Sequence, residues 1–508
     1  MASPISLIGL ASNDPVPGVY IQTNFAAGPA SSGTTTYSAL IVGNKLSTGS
    51  ATADTVIYGP DTATTMTSVA DAIALFGDGS ELARRVADFM KVNKTTPLYA
   101  IAVAEGGGAA ASTGTITVAT NATGSATLRI FVGDEFVDTG IVTGDTPTVI
   151  AAAAVININS KSSWPVTAAN VAGVITITSK QKSLRANFIR YFAQILPTTS
   201  GTTVTPLAST ACTGGTVSDS NVTALATILG LGRRFYYNVS CAEDATQVGA
   251  FLTQIQAEAL PTAGRRMRLF AGSVDTQANA ITVSTGLNSE RCELAWLQNA
   301  DQTPSGLAAT SAAVFALEEA QAIPRINFAF YGQTASTSAI WKLRAPLAGN
   351  SPTRAQVFAG LNAGLSVIGV GPAGSTYLYK RVTTRFKNGA VVDYRIRESG
   401  KVTIEDFFAD DLQGQVIAAM DGAVIGNDPI KGQPEPAPNV KTPRNLKSII
   451  NSLLRQYFDK GLIQEIGATI ANSIVQREAA PTNRMGALIP LQPVDPWDQA
   501  AIRIDQIA

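Results

Sequence analysis

The chain has 508 residues, 45% hydrophobic and 15% charged, and its 37 lysines and arginines are matched by 37 aspartates and glutamates. That length exceeds what one core normally supports, so two to four globular units are expected, and the charge balance supplies no net field toward nucleic acid or an anionic membrane. With no histidine anywhere, the commonest general base, the commonest zinc ligand and every Ser-His or Cys-His nucleophile are removed, leaving carboxylate or lysine chemistry as the enzymatic routes.

Residues 1–36 carry Pro4, Pro15, Pro17 and Pro29 among small polar residues, and only Val19, Tyr20 and Ile21 have strand character. They predict an extended arm. The apolar run 37–43 opens an α/β core unit whose first part is 37–111. Ser80 is placed to cap a helix in which Leu82, Val86, Phe89 and Met90 share one face, with Glu81 paired to Arg85 one turn on. The run 98–103 reads as the next buried strand.

From 112 to 213 the texture changes to Thr, Ser and Gly with alternating Val and Ile, which predicts an inserted β-rich domain with a single helix over 148–159. Gly106, Gly107 and Gly108 form a tolerant entry for it. The core unit resumes over 214–334, with strands at 235–239, 267–271 and 326–331 and a helix carrying Val248, Phe251, Leu252 and Ile255.

A C-terminal α+β domain is expected over 335–489, with strands at 377–379 and 391–396. It holds the clearest helix of the chain. Thr442 caps it, Pro443 takes the first position, Leu446, Ile449, Ile450, Leu453, Leu454, Tyr457 and Phe458 form the apolar stripe, and Gly461 ends it. Arg444, Lys447 and Arg455 lie on the polar face. Residues 490–508 form a second extended arm, in which Ile502, Ile504 and Ile507 stand among polar neighbours. The expected class is thus α/β and α+β, multidomain, with strand arms at both ends.

A charged share well below the ~25% of soluble domains fits either a neutral surface rich in Ala, Thr and Ser or one that meets other subunits, since interface cores are depleted of charge. No run approaches the ~20 apolar residues of a membrane span, and the first ten residues have no basic segment, so a soluble, unexported chain is expected. Cys212, Cys241 and Cys292 are odd in number and widely spaced, which predicts reduced, buried thiols.

Candidate chemistry is sparse. Gly369, Gly371 and Gly374 match a dinucleotide pattern, but Pro372 interrupts it and the residues after it read as strand where a helix must open. Glu405, Asp406, Asp410 and Asp411 form the densest acidic group; a metal or acid/base pair is one reading, and the first turns of a helix with these acids on a solvated face is the other. The pairs Arg84-Arg85, Arg233-Arg234 and Arg265-Arg266 read as solvated or interface charges. The arms remain. A lone strand must find a sheet edge, in its own domain or in a neighbouring subunit, and at about 3.3 Å per residue the arms reach roughly 80 and 60 Å.

Pro17-Gly-Val-Tyr-Ile21 and Leu40-Ile-Val-Gly-Asn-Lys45 are similar to motifs of contractile tail sheath proteins, and Leu75-Phe-Gly-Asp-Gly-Ser-Glu-Leu-Ala83 resembles the stretch leading into that family's helix. Val440-Lys-Thr-Pro-Arg444, with Leu453-Leu-Arg455 and Gly461-Leu462, resembles the C-terminal domain of the Mu-like branch of bacteriophages. The resemblance implies a structural subunit and no enzyme. It further implies six-membered rings stacked around a tail tube, contraction that drives the tube through a host envelope, and arms that add strands to neighbours' sheets. The implied partners are other copies of the chain, the tube protein, and baseplate and tail terminator proteins, with no cofactor and no nucleic acid. The implied place is the virion tail, after assembly in the host cytoplasm. On this reading Val19, Tyr20, Ile21, Ile502, Ile504 and Ile507 make the mesh contacts, and Arg444, Lys447 and Arg455 face the tube. The sheath of a contractile secretion system or bacteriocin particle, and a carboxylate-dependent hydrolase, stay open as alternatives.

Overall fold

Six consecutive residues buried at every position mark a strand covered on both faces, and both Ala39–Asn44 (β1) and Leu98–Val103 (β3) are of this kind. They pair in parallel, with the short strand Ile57–Tyr58 (β2) antiparallel on the outer side of β3. Between them run Val69–Phe76 (α1) and Glu81–Val92 (α2), capped by Ser68 and Ser80. The computed structural model describes residues 19, 21, 37–220, 222–230, 232–240, 245–321, 343, 345–346, 351–371, 374, 376–389, 391–393, 397–430, 432, 434–479 and 482–494.

After β3 the chain forms two antiparallel four-stranded sheets. Ala111–Ala119 (β4), Ala126–Val132 (β5), Glu135–Ile141 (β6), Val166–Val171 (β7), Val174–Lys182 (β8), Arg190–Leu196 (β9), Thr203–Thr205 (β10) and Thr210–Ala211 (β11) are ordered β10-β4-β8-β7 and β11-β9-β5-β6. β4 buries every second residue, as its Thr/Ile/Val alternation requires. Pro147–Ser160 (α3), capped by Thr146, packs on β6 and β7 and sends Ile150, Ala151, Ala154 and Ile158 into the core between the sheets.

The chain then returns to the first sheet. Val222–Gly230 (α4), Tyr237–Val239 (β12), Ala245–Glu258 (α5), Arg268–Ser273 (β13), Gln277–Leu287 (α6), Cys292–Trp296 (β14), Pro304–Gln321 (α7), the helix Arg354–Asn362, Leu365–Val370 (β15) and Thr376–Leu378 (β16) complete the order β16-β15-β14-β13-β12-β1-β3-β2. All neighbours are parallel except β2 and β16 at the two edges. Residues of α1, α2 and α7 cover one face and residues of α4, α5, α6 and the 354–362 helix cover the other, the arrangement a parallel sheet needs. α7 approaches so closely that a Cβ on Gly272 of β13 would lie 2.1 Å from the Pro304 carbonyl oxygen.

Beyond the sheet, the helices Ser399–Met420 and Pro443–Asp459 share a core of Ile404, Phe408, Leu412, Leu446, Ile450, Leu453, Leu454 and Tyr457. Phe407, one residue from Phe408, packs instead into the core under the main sheet, so the 399–420 helix ties the two together. Ile474–Arg477 and Met485–Leu488 form an antiparallel pair alongside. Among the described residues no helix is long and apolar enough to cross a membrane.

Several expectations are corrected. The strand expected at 377–379 in a C-terminal unit 335–489 is the edge of the main sheet, and 365–370 pairs in parallel with β14, so the boundary at 335 cuts through a sheet. Parallel strands join through long crossovers, which a composition change does not mark. Glu81 does not pair with Arg85. It accepts from Arg185 (2.7 Å) and from the Asn44 N–H (2.8 Å), fastening the inserted sheets to α2, while Arg85 turns to Thr303. Phe458, expected in the stripe, is exposed. The strand expected at 326–331 lies outside the described residues.

Candidate assembly surfaces

Of the six residues expected in intersubunit arms, Val19 and Ile21 are described; Tyr20, Ile502, Ile504 and Ile507 lie outside the described residues. Both are half-buried against their own chain. Gln413 Nε2 donates to the Val19 carbonyl (3.4 Å) and Arg266 Nη2 to the Ile21 carbonyl (2.9 Å), and the Ile21 side chain packs on the core of the two C-terminal helices. Both bonds take main-chain carbonyls, so they fix the path of the segment whatever its side chains.

Arg266 reaches the segment from inside the protein. Its buried guanidinium donates to Asp410 Oδ1 (2.8 Å), and Asp410 Oδ2 accepts from Arg234 (2.5 Å) and from the Tyr37 hydroxyl (2.5 Å). Tyr37 is stacked on Tyr236 and Phe407, with ring centroids 4.3 and 4.5 Å away, and Arg234 lies over its ring. Burial holds the Tyr37 hydroxyl well above its usual range, with the charge of Asp410 adding and that of Arg234 opposing. The point where the N-terminal segment enters β1 is therefore held by charge-assisted bonds, about twice as strong as neutral ones.

A second cluster lies deeper. Arg268 and Arg381 share Glu293 and Glu319: Arg268 bonds Glu293 and stands 3.4 Å from Glu319, while Arg381 is 3.2 Å from Glu293 and 2.6 Å from Glu319. Thr403 Oγ1 accepts from Arg268 (2.7 Å) and donates to Glu319 (3.0 Å), and the Tyr237 hydroxyl donates to Glu319 (2.7 Å). Nearby, Asp406 takes Arg291 and the Tyr236 hydroxyl. These charges come from β13, β14, α7, the segment after β16 and the 399–420 helix, so the cluster fixes that helix on the sheet.

The acidic group at 405–411 is thus not a solvated helix face. The helix starts at Ser399, Thr403 is interior, Asp406 and Asp410 bind arginines, and Asp411 accepts from the Tyr457 hydroxyl (2.5 Å). Glu405 is buried, and desolvation raises its pKa well above the usual value, with the adjacent Asp406 charge adding. Arg85 and Arg266 are buried rather than solvated. Among the described residues, no three His, Cys, Asp or Glu side chains converge as a metal site requires. A cavity of about 80 Å³ lies beyond the ends of β12 and β13, lined by Ser240, Ser273, Asp275 and Asn279; the acids of 405–411 do not line it.

On the 443–459 helix, Asn445 Oδ1 accepts from the Thr442 N–H (2.8 Å) and hydroxyl (3.0 Å), closing the first turn, and Gly461 follows the last turn at φ +68°. Arg444 and Arg455 are exposed, the former paired with Glu435; the Lys447 ammonium donates to the Ser473 carbonyl (3.1 Å) and is half-buried. Of the three expected tube-facing residues, Arg455 is the one whose charge is both exposed and at the outer face of the final turns.

No family model matches the chain. Over 188 residues it is 30% identical to the Mu-like prophage FluMu tail sheath protein of Haemophilus influenzae, a match covering 36% of this chain. The matched segment spans about 37% of the length of that curated relative. Among solved structures, the chain is similar to the sheath tail protein of Desulfitobacterium hafniense (11% identity, 94% of this chain and 100% of the other, TM-score 0.46) and to that of Listeria innocua (10%, 91% and 96%, 0.47). It is also similar to a chain of the helical sheath of the anti-feeding prophage in its contracted state (13%, 97% and 100%, 0.45). The likeness to Mu-like tail sheath proteins carried by the sequence motifs is thus also a measured sequence similarity.

Proposed function

We propose that this chain is the structural subunit of a contractile tail sheath, assembled with copies of itself in six-membered rings stacked around a tail tube. Contraction of the stack drives the tube through a host envelope. The observation that carries the reading is the identity with the Mu-like prophage tail sheath protein over 188 residues. The sheath meets a tube protein along its length and baseplate and terminator proteins at its ends, as part of a virion tail put together in the host cytoplasm. It works without catalysis or cofactor, the energy residing in interfaces with two packings.

Within this reading, Val19, Tyr20, Ile21, Ile502, Ile504 and Ile507 belong to arms that join neighbouring subunits. Within this chain the Val19 and Ile21 carbonyls are held by Gln413 and Arg266, so for these two residues the reading requires the same donors to take the segment of a neighbouring copy in the assembly. Arg444, Lys447 and Arg455 turn toward the tube, and the buried apolar stripe of their helix leaves the polar face available to a partner.

The test is to express the chain alone and with its tube protein and to inspect both by negative-stain electron microscopy and sedimentation. Hollow tubes or stacked rings are expected. A monodisperse monomer at every concentration, with the tube present, refutes the reading. Removing residues 1–24 or 495–508 is expected to leave folded monomers that make no long tubes; the cut at 495 spares Leu491, which is buried in the C-terminal core. Arg455→Glu is expected to weaken tube binding, more so at low salt.

A further inference from the structure

A surface helix normally turns one apolar stripe inward and a charged face outward. α3 has no charged face: residues 146–160 contain no Asp, Glu, Lys or Arg. Ile150, Ala151, Ala154 and Ile158 fill the core of the inserted sheets. Val149, Ala152, Ala153 and Ile156 recur at the same helical spacing on the outer side, with Val149 53% and Ile156 70% exposed. Among the described residues, this second apolar stripe stands open to solvent at Val149 and Ile156.

The opposite side of the same unit has a matching character. α3 lies on β6 and β7, the outer strands of the two sheets at one side, while β10 and β11 are the outer strands at the other. Leu196 ends β9 and Leu207 links β10 to β11; they are 46% and 62% exposed. The chain is again free of charge from 191 to 218. Two uncharged apolar patches thus stand on opposite flanks of one small unit.

We infer that these flanks are the two halves of a head-to-tail contact between copies, the outer stripe of α3 on one subunit packing on Leu196 and Leu207 of the next. Complementary patches on opposite sides generate a heterologous interface, which propagates as rings or helical stacks. Segments 146–160 and 191–218 carry no charged side chain of their own, so each patch is apolar like the other. One helix face falls well short of the ~1,200 Å² a stable pair requires, so the contact forms where other interactions already hold copies side by side. The inference rests on the sheath reading for that arrangement.

The test uses full-length chains bearing Ile156→Cys, Leu207→Cys or both, with the parent chain as the control for native cysteines. Both positions are exposed, and an unchanged thermal midpoint checks folding. Assemblies seen by electron microscopy are oxidised and run on non-reducing gels. A ladder of covalent oligomers from the double variant is expected, at least tenfold above either single variant, and an equimolar mixture of the single variants is expected to give dimers and no ladder. Dimers from Ile156→Cys alone mean that the helices pair with each other, which overturns the inference. Tubes without a ladder overturn it while leaving the sheath reading intact. Failure of the parent chain to form any tube, with or without tube protein, overturns both.

Discussion

Arg268→Met tests whether the buried charge cluster holds the 399–420 helix on the sheet. The guanidinium is completely buried and bonds Glu293 and Thr403, with Glu319 at 3.4 Å. Methionine fills much of the volume but leaves two buried carboxylates to share Arg381. Two unit charges about 4 Å apart at an effective dielectric constant of about 20 attract by about 4 kcal/mol, and breaking a buried pair by removing one partner typically costs about 3–5 kcal/mol. The expected loss is therefore about 3–5 kcal/mol. With an m-value of about 3 kcal/mol per M in urea, the midpoint falls by at least about 1 M. Tryptophan fluorescence suits the assay, since Trp296 is buried on the same strand as Glu293. Because the site is shielded from ions, the loss is expected to be the same at low and high salt. Arg268→Met with Glu293→Gln, which restores the charge balance, is expected to recover at least about 1 kcal/mol of coupling. A loss under about 1 kcal/mol, or one that shrinks strongly with added salt, refutes the account of the cluster.

Three further outcomes are expected. Glu405 holds its proton more tightly folded than unfolded, where the usual value is 4.5; its contribution is therefore fully present below that value and lost as pH rises toward the higher folded one. Glu405→Gln removes this slope, so the variant gains thermal stability relative to the parent as pH rises above about 4.5, and parallel curves count against the assignment. Gly272→Ala puts a methyl 2.1 Å from the Pro304 carbonyl oxygen, so α7 must shift from the sheet, at about 1–3 kcal/mol of overpacking; a neutral result in urea unfolding means the approach is looser. Burial pushes the Cys212 and Cys292 thiols up to about 12, so neither should react with an aromatic disulfide reagent at pH 8 until the protein unfolds; peptide mapping of fast label to either residue contradicts this.

The elements most legible in the sequence are those whose signals are local. The runs at β1 and β3 are buried throughout, Ser80 caps α2, and Thr442, Pro443 and Gly461 bound their helix as their chemistry requires. The setting of the acidic group is not legible locally because its partners are distant in sequence: Arg291 is 115 residues from Asp406, and Arg234 is 176 from Asp410. A signal was nevertheless present. Glu293 sits inside the otherwise apolar strand 292–296, and Arg266 and Arg268 stand two apart at the start of another, where period two puts them on one side. Charges in such places are seldom buried unless paired. The sheet's continuation to β15 and β16 was hidden for a similar reason, since pairing with β14 depends on a crossover rather than on anything in the strands themselves.

The burial of these charges bears on the composition. A 15% charged share left two readings open, a plain neutral surface or one that meets other subunits. With Arg266, Arg268, Arg291, Arg381, Glu293, Glu319, Glu405 and Asp406 all inside, part of that charge serves the interior, and the second reading turns on where the surface is locally depleted of charge, the mark of interface cores. The two proposed contacts then differ in kind. The apolar patches on the flanks of the inserted sheets lie on segments without charged residues, so added salt has little there to screen. The 443–459 helix offers Arg455, whose attraction to a partner fades over a Debye length of about 10 Å at 0.1 M salt. Raising the salt is therefore expected to strip tube protein from assembled sheath before it reduces the cysteine ladder across the flanks. The reverse order would mean that the flank contact is electrostatic and that the tube is held by apolar packing.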